Sequence, residues 1–257
     1  MPETQIPAAS RDGFVTYDEL RGPGLDAARW SPARLPLPAG GHHIPLDPNA
    51  QLAVGEGEVR VTIPRFSLTH SAKYVIFATR QFELAPDRPA TFAVDMAVKN
   101  IGGEPADYRR GMAAFHVFDP DVSKRVFAVV GSSTRVFAMH EQVALGRGGA
   151  GQLFYHVIES PYEDFDDDFT RLRTGEITLD RSRSTAAWRV DGHKVYEAHT
   201  FIPERALIGF GIWTMLPERD GRSVGGQGHG RAVAPLPRAR GRRVRTRGAQ
   251  ITGCASQ

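Results

Sequence analysis

Three histidines stand in three segments whose apolar residues alternate in the manner of half-buried β-strands: His116, His140 and His156. Histidine changes its charge near neutral pH and is a common metal ligand. Three on one surface could therefore form an acid/base site, or a three-histidine metal site. The alternative is three unrelated histidines, each satisfied by a neighbour or by solvent.

The face on which each histidine lies follows from the alternation of strand side chains. We assign the bulky apolar residues of each segment to the core, which sends the histidine to the opposite face. The predicted core residues are Ala113, Phe115, Val117, Phe137, Met139, Leu153, Tyr155 and Val157. The residues predicted to share one concave face are Arg110, Met112, Ala114, His116, Val136, Ala138, His140, Gln152, Phe154 and His156. Histidines on different faces would remove this joint site.

A fourth segment, residues 207–215, brings aromatic surface to the same face. Its alternation places Ile208, Phe210 and Ile212 in the core and Trp213 opposite them. Gly209 and Gly211, beside Trp213, either open space above the sheet or relieve crowding at a close backbone approach. An indole in such a place can stack on a sugar or another planar ligand. The predicted ligand-binding residues are Trp213, Arg110, Gln152, Phe154 and Met215.

The elements that must position these residues are β-strands. Asp191-Gly192 lies between alternating apolar residues and predicts a tight hairpin, because Asp and Gly tolerate the positive φ that such a turn needs. Further strands are predicted at 14–17, 58–63, 73–79, 91–98, 111–118, 125–130, 134–140, 152–158, 176–180, 186–190, 194–198 and 207–215. Their spacing favours an all-β, two-sheet antiparallel β-sandwich.

Two motifs resemble a known superfamily. A strand at 14–17 followed by an acidic, glycine-containing turn, Leu25-Asp26 and Trp30 is similar to the opening of concanavalin A-like lectins and glucanases, the jelly-roll group that includes glycoside hydrolase family 16. The hairpin at 188–195, WRVDGHKV, is similar to one common in that group. More closely, four stretches resemble an uncharacterised bacterial domain family within the group: 47–50, 59–66, 162–169 and 210–214. The resemblance implies a jelly-roll fold.

Carboxylates provide the test for a family 16-like hydrolase. Its retaining mechanism needs two of them about 5–5.5 Å apart. The resemblance implies a Glu-x-Asp-x-x-Glu strand for that purpose, which this sequence lacks. Asp164, Asp166 and Asp168 instead suggest a calcium site, although the glycine and distal glutamate of an EF-hand are missing. A solvated acidic loop, or ion pairing with Arg171 and Arg173, is the simpler interpretation, and no cofactor is otherwise expected.

Composition separates the chain into three parts: an arm at 1–13, a single domain at 14–222 and a basic tail at 223–257. After Asp220 there are eight arginines and no acidic residue, so the net charge of +3 comes from the tail. The tail is interpreted as disordered or as a frameshift product, since shifting GC-rich codons at 229–238 gives an alternating strand. It lacks aromatics between its arginines, so no specific nucleic-acid partner is expected.

No export signal, membrane span or disulfide is expected from this sequence, and we expect a cytoplasmic protein of undetermined oligomeric state. The leading hypothesis is binding of a small molecule or carbohydrate on the concave face. The alternative is a metal-independent enzyme, such as a lyase or cyclase of a small metabolite, in which His116, His140 and His156 act as acid and base. A structural or interaction domain without a ligand pocket is a third hypothesis.

Overall fold

The structure is a computed structural model of the chain. It describes residues 14–36, 40–67, 71–101, 105–121, 124–143, 154–160 and 168–214, followed by the backbone of six short strands. Nearly all the described elements are strands, and the one helix is a 3₁₀ turn at Tyr108–Arg110. No helix in this part of the chain has the length and apolarity needed to cross a membrane.

The strands are numbered in chain order. The first nine are β1 Phe14–Thr16, β2 Trp30–Pro32, β3 Leu35–Pro36, β4 His42–His43, β5 Gln51–Gly55, β6 Glu58–Ile63, β7 Ala72–Ala78, β8 Phe82–Glu83 and β9 Ala90–Ile101. The next eight are β10 Met112–Phe118, β11 Arg125–Gly131, β12 Val136–Gln142, β13 Phe154–Glu159, β14 Arg173–Asp180, β15 Thr185–Val190, β16 His193–His199 and β17 Arg205–Trp213. The last six are β18 Glu218–Arg219, β19 Arg222–Ser223, β20 His229–Val233, β21 Arg238–Arg240, β22 Arg243–Val244 and β23 Gln250–Gly253.

Two large sheets contain most of these strands. The first sheet runs β1-β22-β21-β9-β14-β15-β16, with β5, β6, β20 and β23 joined beside β9. The second sheet runs β13-β12-β11-β10-β17-β7-β2, with β8 paired to β17. Neighbouring strands of the second sheet are antiparallel throughout. The predicted all-β antiparallel sandwich is confirmed.

The main core lies between the inner faces of the two sheets. The first sheet contributes Phe92, Ile177 and Trp188, all at most 1% exposed. The second contributes Phe115 and Phe210, which face each other across β10 and β17. Each fully buried side chain of this size contributes about 1.5–3 kcal/mol to folding.

The hairpin between β15 and β16 fixes the register of the first sheet's outer edge. Asp191 and Gly192 have φ values of 49° and 83°, so both take the left-handed conformation that the sequence predicted. The turn pairs Val190 with His193 and directs Trp188 into the core. Just before the turn, a β-bulge between Trp188 and Arg189 shifts the pairing with β16.

The region beyond Thr214 is described only as backbone strands. Strand β20 is antiparallel to β6 and β9, and β23 is parallel to the same two strands. Strands β21 and β22 pair with β1. The interpretation of residues 223–257 as disordered or frameshifted falls mostly outside the described residues and stays a prediction.

Replacing Gly192 with Ala tests the hairpin. An L side chain in the left-handed region costs about 1–2 kcal/mol, so thermal unfolding should begin at lower temperature, with Tm falling about 2–4 °C for each kcal/mol. Gly24→Ala is the matched control, because no atom lies within 4 Å of a Cβ there and its φ is outside that region. Equal Tm values for the two variants would contradict the proposed turn geometry.

Candidate functional site

The second sheet has an apolar outer face, turned away from the core, which corresponds to the predicted concave face. Its centre is formed by side chains of β10, β11 and β12 that pack together in a separate cluster. They are Met112, Ala114, Val126, Ala128, Val130, Phe137 and Met139, all at most 8% exposed. Partly buried residues pack around them, among them Tyr108, Phe118, Val157 and Trp213. The centre of this face is therefore a close-packed apolar cluster, with partly buried residues around it.

His116 is the buried polar side chain in the middle of this face, at 2% exposure. It lies on β10 between two small residues, Gly209 on β17 and Ala128 on β11. The rings of Phe77 and Trp213 occupy the space over β17. A Cβ added at Gly209 would meet the Phe77 ring at 2.5 Å, and one at Gly211 would meet Trp213 Nε1 at 2.9 Å. The glycines allow both rings to approach the histidine.

A hydrogen bond joins Trp213 to His116. Trp213 Nε1 donates to His116 Nε2 over 3.0 Å, and the two rings meet edge to face with centroids 5.7 Å apart. An indole N–H can only donate, so His116 Nε2 is the unprotonated nitrogen. The proton of the neutral imidazole is therefore on Nδ1.

That Nδ1–H is buried and has no partner among the described residues. Burial lowers the pKa of His116 to about 3, so the ring stays neutral at physiological pH. An unmade hydrogen bond of this kind costs about 1–3 kcal/mol. His116 is thus a neutral donor that a ligand acceptor could satisfy.

The other two predicted histidines are on the opposite side of the sheet, so the expectation of three histidines on one face is wrong. His140 stacks on Phe127 of the main core with ring centroids 5.2 Å apart, and it also contacts Trp188. His156, on β13, is paired with His140 and lies on the same inner side. The sequence-based site with His116, His140 and His156 as joint catalytic residues is not formed.

Strands β12 and β13 face the opposite way from the prediction. Phe137 and Met139 are buried, as predicted, but they are buried in the outer cluster, while Val136 and Ala138 belong to the main core. Because β12 is buried on both faces, burial alone does not tell which of its faces is inner, and β13 follows the facing of β12 through their pairing. The facing of β10 was predicted correctly, since Phe115 is in the main core and Met112 and Ala114 are in the outer cluster.

The remaining predicted residues do not gather around Trp213. Arg110 is exposed in the 3₁₀ turn and lies 3.5 Å from an oxygen of Asp107. Phe154 lies on the inner side, in edge contact with His140. Gln152 and Met215 lie outside the described residues.

Only one of the three predicted calcium ligands, Asp168, lies among the described residues. Asp164 and Asp166 lie outside the described residues. Asp168 accepts hydrogen bonds from Thr170 N and Oγ1 and from Arg171 Nε. The Thr170 hydroxyl bond is the main reason that the pKa of Asp168 is lowered. Among the described residues, no group of three or more His, Cys, Asp or Glu side chains is placed to hold a metal ion.

A carboxyl on the outer face was missed by the sequence analysis. Glu141 lies two residues after Met139 on β12 and so shares its face. It stands opposite Tyr155 on β13 and Val126 on β11. Burial among these neighbours raises the pKa of Glu141 to about 7. Burial, together with Glu141 and Tyr108, also raises the pKa of Tyr155. No local sequence pattern marks Glu141, because its neighbours Val126 and Tyr155 come from other strands.

The carboxylates of this face do not form a retaining pair. The two described ones on β12 and β13 are Glu141 and Glu159, and Glu159 is paired with Phe137, four residues from Glu141. Four residues of strand span roughly 13 Å. Retaining hydrolysis needs about 5–5.5 Å and inverting hydrolysis about 6.5–9.5 Å. On the adjacent β11, the outward positions Val126, Ala128 and Val130 are apolar.

Residues 17–209 match a protein family described as a family of unknown function, DUF6081. The match spans well over half of the chain. The protein belongs to this family. No curated protein matches the sequence.

Solved structures with a similar fold are jelly-roll glucanases and related enzymes. The β-glucanase of Bacillus licheniformis is 16% identical with a TM-score of 0.54, over 90% of this chain and 99% of that one. The endo-1,3-β-glucanase of Streptomyces sioyaensis is 12% identical with a TM-score of 0.57, over 97% and 99%. Porphyranase B of Zobellia galactanivorans is 9% identical with a TM-score of 0.55, over 96% and 97%. These likenesses confirm the concanavalin A-like jelly-roll fold.

The raised pKa of Glu141 predicts a pH-dependent stability. Between its ordinary value of 4.5 and about 7, the folded chain holds a proton that the unfolded chain releases, so stability falls as pH rises through this window. Glu141→Gln removes the effect. Relative to wild type, the variant should gain up to about 3 kcal/mol in free energy of unfolding between about pH 4.5 and pH 8. Urea unfolding across this range measures the difference.

Glu159→Gln is the control on the same face. The Glu159 carboxyl is half-exposed and paired with Arg135 at 3.1 Å, so this variant should not gain stability over wild type as pH rises. A constant difference between Glu141→Gln and wild type across the whole range would show that Glu141 is not desolvated.

Proposed function

We propose that the outer face of the second sheet binds a carbohydrate or another small organic ligand, with Trp213 and His116 as direct contacts. The observation that carries the proposal is the buried His116 Nδ1–H, which has no partner among the described residues. Its donor direction is set by the hydrogen bond from Trp213. A ligand oxygen that reaches Nδ1 would complete the hydrogen bonding of the imidazole.

The surroundings of this donor suit an organic ligand. Ligand sites are mostly apolar surfaces with a few well-placed polar groups. Phe77 and Trp213 provide aromatic surface beside His116, and Met112 stands opposite Trp213. Glu141 and Tyr155 add polar groups further along the face. Glycan-active neighbours with the same fold support a carbohydrate as one class of ligand. The spacing of the described carboxylates is the reason that we propose binding rather than glycoside hydrolysis.

A second candidate function is acid/base catalysis on the same face. His116 is neutral at physiological pH, so it does not fill the role of a titrating acid or base. Glu141 fits that role better, because its pKa of about 7 lets it exchange a proton near neutral pH, and the Tyr155 phenol stands opposite. Catalysis requires that a bound compound be converted and that Glu141→Gln bind it without converting it, which NMR of the bound compound detects.

The binding proposal is tested through the indole N–H of Trp213. We expect titration with a β-1,3-glucan tetrasaccharide, or with the neutral planar probe 2-naphthol, to shift this NMR resonance saturably. His116→Phe keeps a ring in place but removes the donor. Loss of one neutral hydrogen bond should weaken binding about fivefold to tenfold.

His199→Phe is the matched control, because His199 is an exposed histidine on the first sheet. It should bind as the wild type does. If neither probe moves the Trp213 resonance, or if His116→Phe binds as tightly as wild type, the proposal is wrong.

A further inference from the structure

The two sheets end at the same side of the sandwich. Strand β13 is the terminal strand of the second sheet, β16 is the terminal strand of the first, and the two approach each other. Neither edge is covered by another described strand. Side chains on the inner faces of these strands therefore meet at one edge of the sandwich, in a region that we call the edge mouth and define by Phe154, His156 and Tyr196.

Buried aromatic and imidazole rings lie next to the edge mouth. His140 is 5% exposed and lies 4.7 Å from Phe154, 6.3 Å from His156 and 5.7 Å from Trp188, measured between ring centroids. Trp188 in turn packs on Tyr196 at 5.3 Å. His156 is exposed, so the imidazoles run from the surface into the interior.

A cation lies at one end of the edge mouth. The Arg125 guanidinium is 5.6 Å from the Phe154 ring and 5.5 Å from the Phe201 ring, and Phe201 is half-exposed. Arg125 Nη1 donates to Thr200 Oγ1 and to the Phe201 carbonyl. Among the described residues Arg125 forms no ion pair within 4.0 Å, although the charge of Asp119 acts on it at longer range.

Two buried donors in this region are left unsatisfied by the described residues. Arg125 Nε and Trp188 Nε1 are buried and have no hydrogen-bond partner among the described residues, and each can only donate. His140 shares one hydrogen bond, with Thr200 Oγ1 at 3.2 Å. A surplus of donors around a guanidinium favours a ligand with acceptor oxygens and negative charge. The flanking rings of Phe154, Phe201 and Tyr196 favour a flat apolar body.

We propose that the edge mouth is a second binding site, specific for a small aromatic carboxylate. The carboxylate is held by Arg125 with His156 and His140, and the ring packs among Phe154, Phe201 and Tyr196. This site is on the opposite side of the second sheet from Trp213 and His116. It does not depend on the ligand proposed for the outer face.

Benzoate is the probe, and the three tryptophan indole N–H resonances report where it binds. Trp188 lies beside the edge mouth, Trp213 lies on the outer face, and Trp30 is held by a hydrogen bond to Asp18. Titration of the full chain with benzoate should shift the Trp188 resonance saturably and leave the other two in place. Benzyl alcohol, which keeps the ring and lacks the charge, should bind at least tenfold more weakly.

Arg125→Met removes the charge and keeps an apolar side chain against Phe154 and Phe201. It should weaken benzoate binding at least tenfold. Arg80→Met is the matched control, since the Arg80 guanidinium also lies 5.6 Å from a phenylalanine ring, that of Phe82, far along the chain from the edge mouth. It should bind benzoate as wild type does. Three dispersed indole resonances show that a variant is folded. If Arg125→Met lacks them, His156→Gln is the second test, because it alters an exposed residue and should also weaken benzoate binding.

Three outcomes overturn the proposal. The first is a benzoate shift at Trp213 instead of Trp188, which would place the carboxylate on the outer face. The second is a linear, unsaturable shift or none. The third is undiminished affinity in both Arg125→Met and His156→Gln. Failure of glycan or naphthol binding at Trp213 leaves the edge mouth unaffected, so the two proposals fail separately.

Discussion

The alternation of side chains across the second sheet is the constraint on which both candidate sites depend. Each strand sends successive residues to opposite faces, and at β10, β11 and β12 both faces are buried among apolar side chains. The register between β10, β11 and β12 therefore decides which polar residue stands where. It places His116 in the outer cluster and His140 against the main core. A slip of one residue in β12 would exchange Glu141 and His140 between the faces.

The outer face combines a close-packed apolar surface with one unsatisfied donor. Gly209 and Gly211 allow Phe77 and Trp213 to lie near His116, and the indole N–H then fixes which nitrogen of the imidazole carries the proton. The result is a neutral, oriented donor buried among mostly apolar side chains. A recognition site built in this way would select ligands by shape and by one well-placed acceptor. The inner side is apolar over most of its area, but at the edge beside β16 it brings Arg125, His140 and His156 together.

The sequence predicted the architecture better than the site. Asp191-Gly192 predicted its hairpin because a turn with two positive φ values accepts few residue types. The facing of Trp213 was also predicted, because Ile208, Phe210 and Ile212 form an unbroken apolar stripe on the other side of β17. The facing of His140 and His156 was wrong, since Phe137 and Met139 are as buried on the outer face as Val136 and Ala138 are on the inner one. Local alternation carries no information about which of two buried faces meets the other sheet.

The burial of the Glu141 carboxyl also could not be predicted from local sequence. Its raised pKa arises from burial, and the residues opposite it, Val126 and Tyr155, are placed there by strand register and not by nearby sequence. Likewise, β13 and β16 approach each other because both sheets end at the same side. Neither feature has a local sequence motif.

The state of the His116 ring is the most direct test of this account. Long-range ¹H–¹⁵N NMR correlations identify which nitrogen of each imidazole is protonated and at what pH it titrates. From about pH 7 to about pH 4, His116 should keep one neutral form, with the proton on Nδ1 and an unprotonated Nε2, because burial lowers its pKa to about 3. Titration near the ordinary value of 6.5, or a proton on Nε2, would contradict both the hydrogen bond from Trp213 and the site built on it.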